Sequence, residues 1–220
     1  MTGLMLILLL QSSASAGVTE EHLCEQQRQV LLAEGRHLIL EVNCNDCYQK
    51  TPQGLRQGIQ KIEQALALGV TERGEACWLV HRAYWDLSFL GRGERDQEAL
   101  GRSREALVCA IKEEPENPEW LYEFAMSFAH GKERKDLCLR VLAIAPDHPG
   151  ALFTLGEIEV KEGETEKGTQ TMLRAFWLAD GVEAVSMGER LLGLKLEDLG
   201  LEAERILIEN RVEDLRRESF

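Results

Sequence analysis

Proline is scarce in this chain, five in 220 residues, and aromatic side chains make up only 6% of it. Cations are the minority charge, 25 Lys and Arg against 38 Asp and Glu, for a formal net charge of −13. That balance disfavours broad contact with nucleic acid or an anionic membrane, because both attract cations and repel carboxylates. No apolar run approaches the roughly twenty residues that a spanning helix needs, so stable membrane insertion is not expected. Strand-like alternation and a Gly-rich phosphate loop are also missing, which removes the nucleotide-binding α/β folds. The five histidines, at 22, 37, 81, 130 and 148, stand singly, and none sits with a Cys or Ser in a recognisable nucleophile setting. The sequence therefore gives catalysis no support and calls for no cofactor. At 44% hydrophobic and 29% charged, the chain still has enough apolar surface for one or two globular domains.

The first sixteen residues carry no charge and contain the run Leu4-Met5-Leu6-Ile7-Leu8-Leu9-Leu10, followed by Ala14-Ser15-Ala16. A short apolar stretch ending in a small-x-small triplet reads as a signal peptide over 1–16, with the mature chain starting at Gly17. The expected location is periplasmic or extracellular. The alternative is a cytoplasmic chain whose first helix simply begins apolar.

The few prolines are placed with a pattern. Four of them form two copies of one string, Pro115-Glu-Asn-Pro118 and Pro146-Asp-His-Pro149, a period of 31 residues. Each copy follows one helix-periodic apolar stretch and precedes another. Proline ends a helix because it lacks an N–H, yet it fits the first turn of the next. A period of this size marks stacked helical repeats. Apolar spacing predicts helix pairs at 75–90 with 96–113, 118–130 with 133–145, 149–162 with 165–179, and 183–199 with 201–217. An earlier pair lies at about 21–42 and 53–69. The fold class is all-α, and the chain divides into residues 17–72, rich in Cys, repeats over 73–199, and a capping helix over 200–220.

The stretch Pro149-Gly-Ala-Leu152-Phe-Thr-Leu155-Gly156, continuing through Gly163, Gly168, Met172 and Ala175, resembles a tetratricopeptide repeat. The tails from Ala110 to Pro115 and from Val141 to Pro146 resemble repeat ends. The match is divergent: Leu152 stands where a large aromatic is expected, and the 118–146 unit falls short of the usual period. The resemblance implies a right-handed α-solenoid of four to five antiparallel helix pairs and a non-catalytic scaffold that holds another protein or a peptide segment in a concave groove. It places Leu107, Ala110, Leu121, Phe124, Ala125, Val141, Leu155, Gly156 and Ala175 in the core. It also assigns the groove to the first helix of each pair, through His81, Trp85 and Phe89, then Tyr122 and Met126, then Phe153 and Glu157, with Arg190 in the last unit. The same aromatics at helical spacing also suit interhelix packing. Members that grip chaperone tails carry paired Lys and Asn on this face, and this chain does not.

Six cysteines, Cys24, Cys44, Cys47, Cys77, Cys109 and Cys138, suit three disulfides in an exported protein, and free buried thiols are the alternative. Cys109 and Cys138 fall on second helices of adjacent units and are expected to bridge them, leaving Cys24, Cys44, Cys47 and Cys77 to clamp the amino-terminal part. A rival reading makes Cys44-Asn-Asp-Cys47 the centre of a thiol-redox or metal-binding protein, although no strand precedes it and no second paired spacing completes a zinc site.

Overall fold

The computed structural model describes residues 20–40, 51–90, 95–194 and 196–218. The expected signal segment 1–16 and the Cys44–Cys47 pair lie outside the described residues. Among the described residues every regular element is helical. The helices are α1 (Glu20–Leu40), α2 (Pro52–Ala67), α3 (Arg73–Phe89), α4 (Gln97–Glu113), α5 (Pro118–Phe128), α6 (Gly131–Ile144), α7 (Pro149–Lys161), α8 (Thr165–Leu178), α9 (Gly181–Leu192) and α10 (Glu202–Glu218), with a 3-10 turn at Leu196–Leu199. The chain divides into two compact units, one ending at Glu114 and one beginning at Pro115. Among the described residues no helix is long and apolar enough to cross a membrane.

The prolines account for where these helices start. Pro52, Pro118 and Pro149 each occupy the first turn of a helix, where the missing N–H costs nothing. The residue before each one caps the orphan amides: Gly54 N–H donates to Thr51 Oγ1 at 3.1 Å, Trp120 N–H to Asn117 Oδ1 at 3.3 Å, and Ala151 N–H to His148 Nδ1 at 3.2 Å. The other two prolines use their carbonyls. Arg140 of α6 donates to Pro115 O at 2.7 Å, and Arg174 of α8 reaches Pro146 O at 3.5 Å and the Asp147 carboxylate at 2.5 Å. The 31-residue repeat is thus a repeated construction: a second helix holds the linker that precedes its own pair.

Within each unit packing joins helices consecutive in sequence, most extensively α1 with α2, α3 with α4 and α7 with α8, and α1 also meets α3. In the first unit Leu32 and Ile39 of α1 meet Leu55, Ile59 and Ile62 of α2, and Leu79 and Ala83 of α3. In the second, Leu152 and Phe153 of α7, Met172 and Phe176 of α8, and Met187 and Leu191 of α9 share one core with Ile208 and Val212 of α10. Fully burying a side chain such as Phe176 contributes about 2–3 kcal/mol. The α7–α8 crossing requires two glycines. A Cβ on Gly156 would lie 2.6 Å from Gly168 O, and one on Gly168 would lie 2.5 Å from Gly156 O, so only hydrogen fits between the backbones.

Several expectations change. Cys109 pairs with Cys77 across α3 and α4, Cα to Cα 5.9 Å, and Cys138 is a fully buried free thiol. The 109–138 staple and the role of Cys77 in an amino-terminal clamp are therefore wrong: Cys77 points at the partner helix of its own pair, where Cys109 faces it. Cys24 is also free and is exposed. The helix expected over 183–199 stops at Leu192, where Gly193 N–H returns to Glu189 O and Leu191 O. Leu196 then turns inward and is fully buried. The expected core residues are buried except Phe124, which stays half-exposed. The last helix is not polar on its whole outer side, since Ile206 and Leu207 are 57% and 54% exposed.

Candidate functional site

The stripe expected on the first unit is divided by its own geometry. His81, Trp85 and Phe89 are four apart, and a helix turns about 100° per residue, so each step advances the side chain by about 40° around the axis. His81 accordingly lies fully inside, Trp85 at the margin, and Phe89 is 48% exposed. His81 Nδ1 is 3.1 Å from the Ser103 carbonyl, and Ser103 Oγ lies 2.9 Å from the same nitrogen and 3.2 Å from His81 O. A carbonyl oxygen can only accept, so Nδ1 carries the proton and the Ser103 hydroxyl donates to His81 O. His81 is therefore an α3–α4 link one turn from the disulfide and is not a groove residue. Outside it, Trp85 and Phe89 meet edge to face at 5.3 Å, and the Arg95 guanidinium stands 4.2 Å from the Phe89 ring. Nearby, an open cleft of about 380 Å³ is lined by Arg56, Arg102, Tyr84, Asp96 and Glu98, a mixture of charges that favours no single ligand.

The expected residues of the second unit come together more closely. Tyr122 of α5 lays its ring on the first turn of α7, where the tilted His148 ring lies 4.7 Å away. Gly150 makes that approach possible, because a Cβ there would stand 2.5 Å from the Tyr122 ring. The Tyr122 hydroxyl lies 3.5 Å from Thr154 Oγ1, and Thr154 in turn donates to Met126 Sδ at 3.4 Å. Burial pushes the Tyr122 phenol above its ordinary range, the Thr154 contact opposes this, and the negative charge of Glu183 adds to it. Met126 is 39% exposed.

The next two first helices are joined by charge. Arg190 of α9 pairs with Glu157 of α7 and lies 5.0 Å over the Phe153 ring. Phe153 itself is only 3% exposed and belongs to the core, so the expectation that it meets a partner is corrected. It acts as the floor on which Arg190 rests. One turn away Glu159 is buried, but it points toward α8, where Lys167 is 2.9 Å away and the Thr171 hydroxyl donates at 2.9 Å. Glu159 and Glu164 hold the Lys167 ammonium above its usual range.

Tyr122 and Met126 are therefore linked through Thr154, and Glu157 and Arg190 form a separate pair between α7 and α9; Thr154 and His148 are two residues the sequence pattern did not place in the site. Thr154 had a visible signal, a lone hydroxyl inside an apolar stretch. His148 occupies the place of Asn117 in the 31-residue period, which marks it as a cap. Among the described residues no group of His, Cys, Asp and Glu is arranged to hold a metal ion. No family model and no curated protein matches this sequence.

What this face can do follows from its chemistry. It offers a thioether, a half-buried phenol and an internally balanced ion pair, all suited to contact with a polypeptide segment.

Proposed function

We propose that the chain is an exported, non-catalytic scaffold of the tetratricopeptide type, a right-handed α-solenoid of five helix pairs that holds a segment of another protein. The packing of consecutive helices and the recurring proline, cap and arginine arrangement support the solenoid. The Cys77–Cys109 disulfide supports an oxidising compartment and hence export. The observation that carries the binding reading is the pair of linked groups on the first helices, one from Tyr122 through Thr154 to Met126 and one from Glu157 to Arg190. It leaves Met126 exposed among fixed neighbours.

The test is site-specific photo-crosslinking in the native host. A photoreactive residue at Met126 is expected to trap a discrete protein through one short segment. The same residue at Leu139, an exposed apolar position on the second helix α6, is expected to trap nothing discrete. Equal trapping at both positions, or trapping at neither, would remove the proposal.

A further inference from the structure

The two proline strings share a cap position and differ in what occupies it. Asn117 precedes Pro118 and His148 precedes Pro149, one 31-residue period apart, and each side chain accepts the amide hydrogen of the third residue on, Trp120 and Ala151. An Asn amide keeps that acceptor between pH about 5 and about 8, whereas a His side chain changes its charge in that interval. Nδ1 of His148 accepts from Ala151 N–H at 3.2 Å, so in the neutral ring the hydrogen sits on Nε2, which lies 3.4 Å from Glu119 Oε1. An imidazolium has two donors and no acceptor. Protonation therefore sets a new Nδ1–H against the Ala151 N–H, and α7 loses its cap. At the other nitrogen the same proton turns the Glu119 contact into an ion pair. Ala151 is fully buried and the His148 side chain is only 7% exposed, so the freed amide has no water to turn to while the ring stays in place. The surrounding charged and titratable groups come from four helices. α5 presents Glu119 and the Tyr122 phenol. Asp147, the residue before the cap, is held by Arg174 of α8, while Cys138 of α6 and Glu183 and Arg190 of α9 act on the Tyr122 hydroxyl.

We propose that His148 makes the contact between α5 and α7 a pH-sensitive joint. In the neutral state the ring caps α7 and lies 4.7 Å from the Tyr122 ring; in the imidazolium state it leaves the Ala151 amide and turns to Glu119 on α5. One contact is lost and one is gained, so the proton moves the joint between two arrangements without unfolding the pair. Tyr122 carries the change to α5, because its ring packs on His148 and Gly150 and its hydroxyl meets Thr154, which donates to Met126. The start of α5, capped by Asn117, keeps its cap through the same range. The joint works in this way whether or not a partner segment occupies the neighbouring face.

Histidine nitrogen NMR and amide hydrogen exchange on the full chain, between pH about 8 and about 5, test the proposal. At the upper end the His148 ring is expected to carry its proton on Nε2 alone. At the lower end both nitrogens carry one. Exchange at Ala151, corrected for its intrinsic pH dependence, should then be faster on the order of fivefold relative to Trp120, the factor a helix cap is worth, and the Tyr122 ring signals should shift over the same range. His148→Asn installs the cap of the other string. It should keep Ala151 protected, hold the Tyr122 signals constant and remove the transition. A ring that carries its proton on Nδ1 at the upper end, that stays neutral throughout, or that titrates while Ala151 and Tyr122 do not respond would overturn the proposal. So would a Tyr122 transition that persists unchanged in His148→Asn.

Discussion

The two units are built from the same helix pair and held by different means. In the unit ending at Glu114, α3 and α4 are joined covalently by Cys77 and Cys109, and a buried His81–Ser103 link lies a turn away. In the unit beginning at Pro115, the same work is shared among small polar devices that recur: a side-chain cap before α5 and before α7, and an arginine from α6 and from α8 on a proline carbonyl. Its buried cysteine, Cys138, stays a thiol. Where the sequence repeats, stability is spread over many replaceable contacts. Where it does not, one bond carries a large share.

Removing the disulfide should show this most strongly. Replacing Cys77 and Cys109 by Ser frees a 32-residue separation, which the chain-entropy account puts at about 3.7 kcal/mol. Hydrogen exchange should rise over 73–113 and change little over 118–178, and an equal rise in both would erase the contrast. In the second unit the sharpest single lesion is Gly156→Ala. The added Cβ would meet Met172 Cγ at 2.5 Å and Gly168 O at 2.6 Å, for a loss of about 1–3 kcal/mol in urea melts.

The Cys138 thiol gives a pH-dependent comparison. Burial raises it from 9.0 to about 11, with Arg134 pulling the other way. The folded state therefore holds that proton more tightly than the unfolded chain. Its contribution is complete below pH 9 and is lost as pH rises through about 11. Alkaline melts should reveal a decline on the order of 3 kcal/mol across that window, and Cys138→Ala should flatten it. At neutral pH, mass mapping after alkylation of the native protein should find Cys24 modified and Cys138 protected. The smallest effects belong to the caps: Asn117→Ala and His148→Ala should each cost about 1 kcal/mol, as should Asp96→Ala in the first unit. Equality across the units would show that local capping is common to both and that the disulfide makes the difference.

Much of the fold was legible because its signals are local. Pro118, Pro149 and the residues before them mark helix starts through backbone chemistry alone, and apolar spacing supplied the rest. The disulfide was not legible, because Cys77, Cys109 and Cys138 all sit at plausible interhelix positions and only packing decides which two face each other. The same limit explains His81 and Phe153. Spacing puts a residue on a face, but the 40° drift per step and the closeness of the next helix decide whether that face is inside. Tyr122 and Met126 were assigned to the groove face by the register of the resemblance alone; Met126 is exposed there, whereas Gly150 leaves room for the Tyr122 ring to pack onto α7. Cys44 and Cys47 lie outside the described residues.

The central claim is that the first-helix face of the second unit is where a partner segment sits, and methionine methyl NMR tests it within one sample. Met126 is 39% exposed on that face, while Met172 and Met187, at 3% and 5%, are buried in the same unit. Titrating methyl-labelled protein with a peptide selected for binding to it should shift the Met126 resonance strongly and leave Met172 and Met187 nearly still. A bound peptide that leaves Met126 unmoved, or that shifts all three alike, would contradict it.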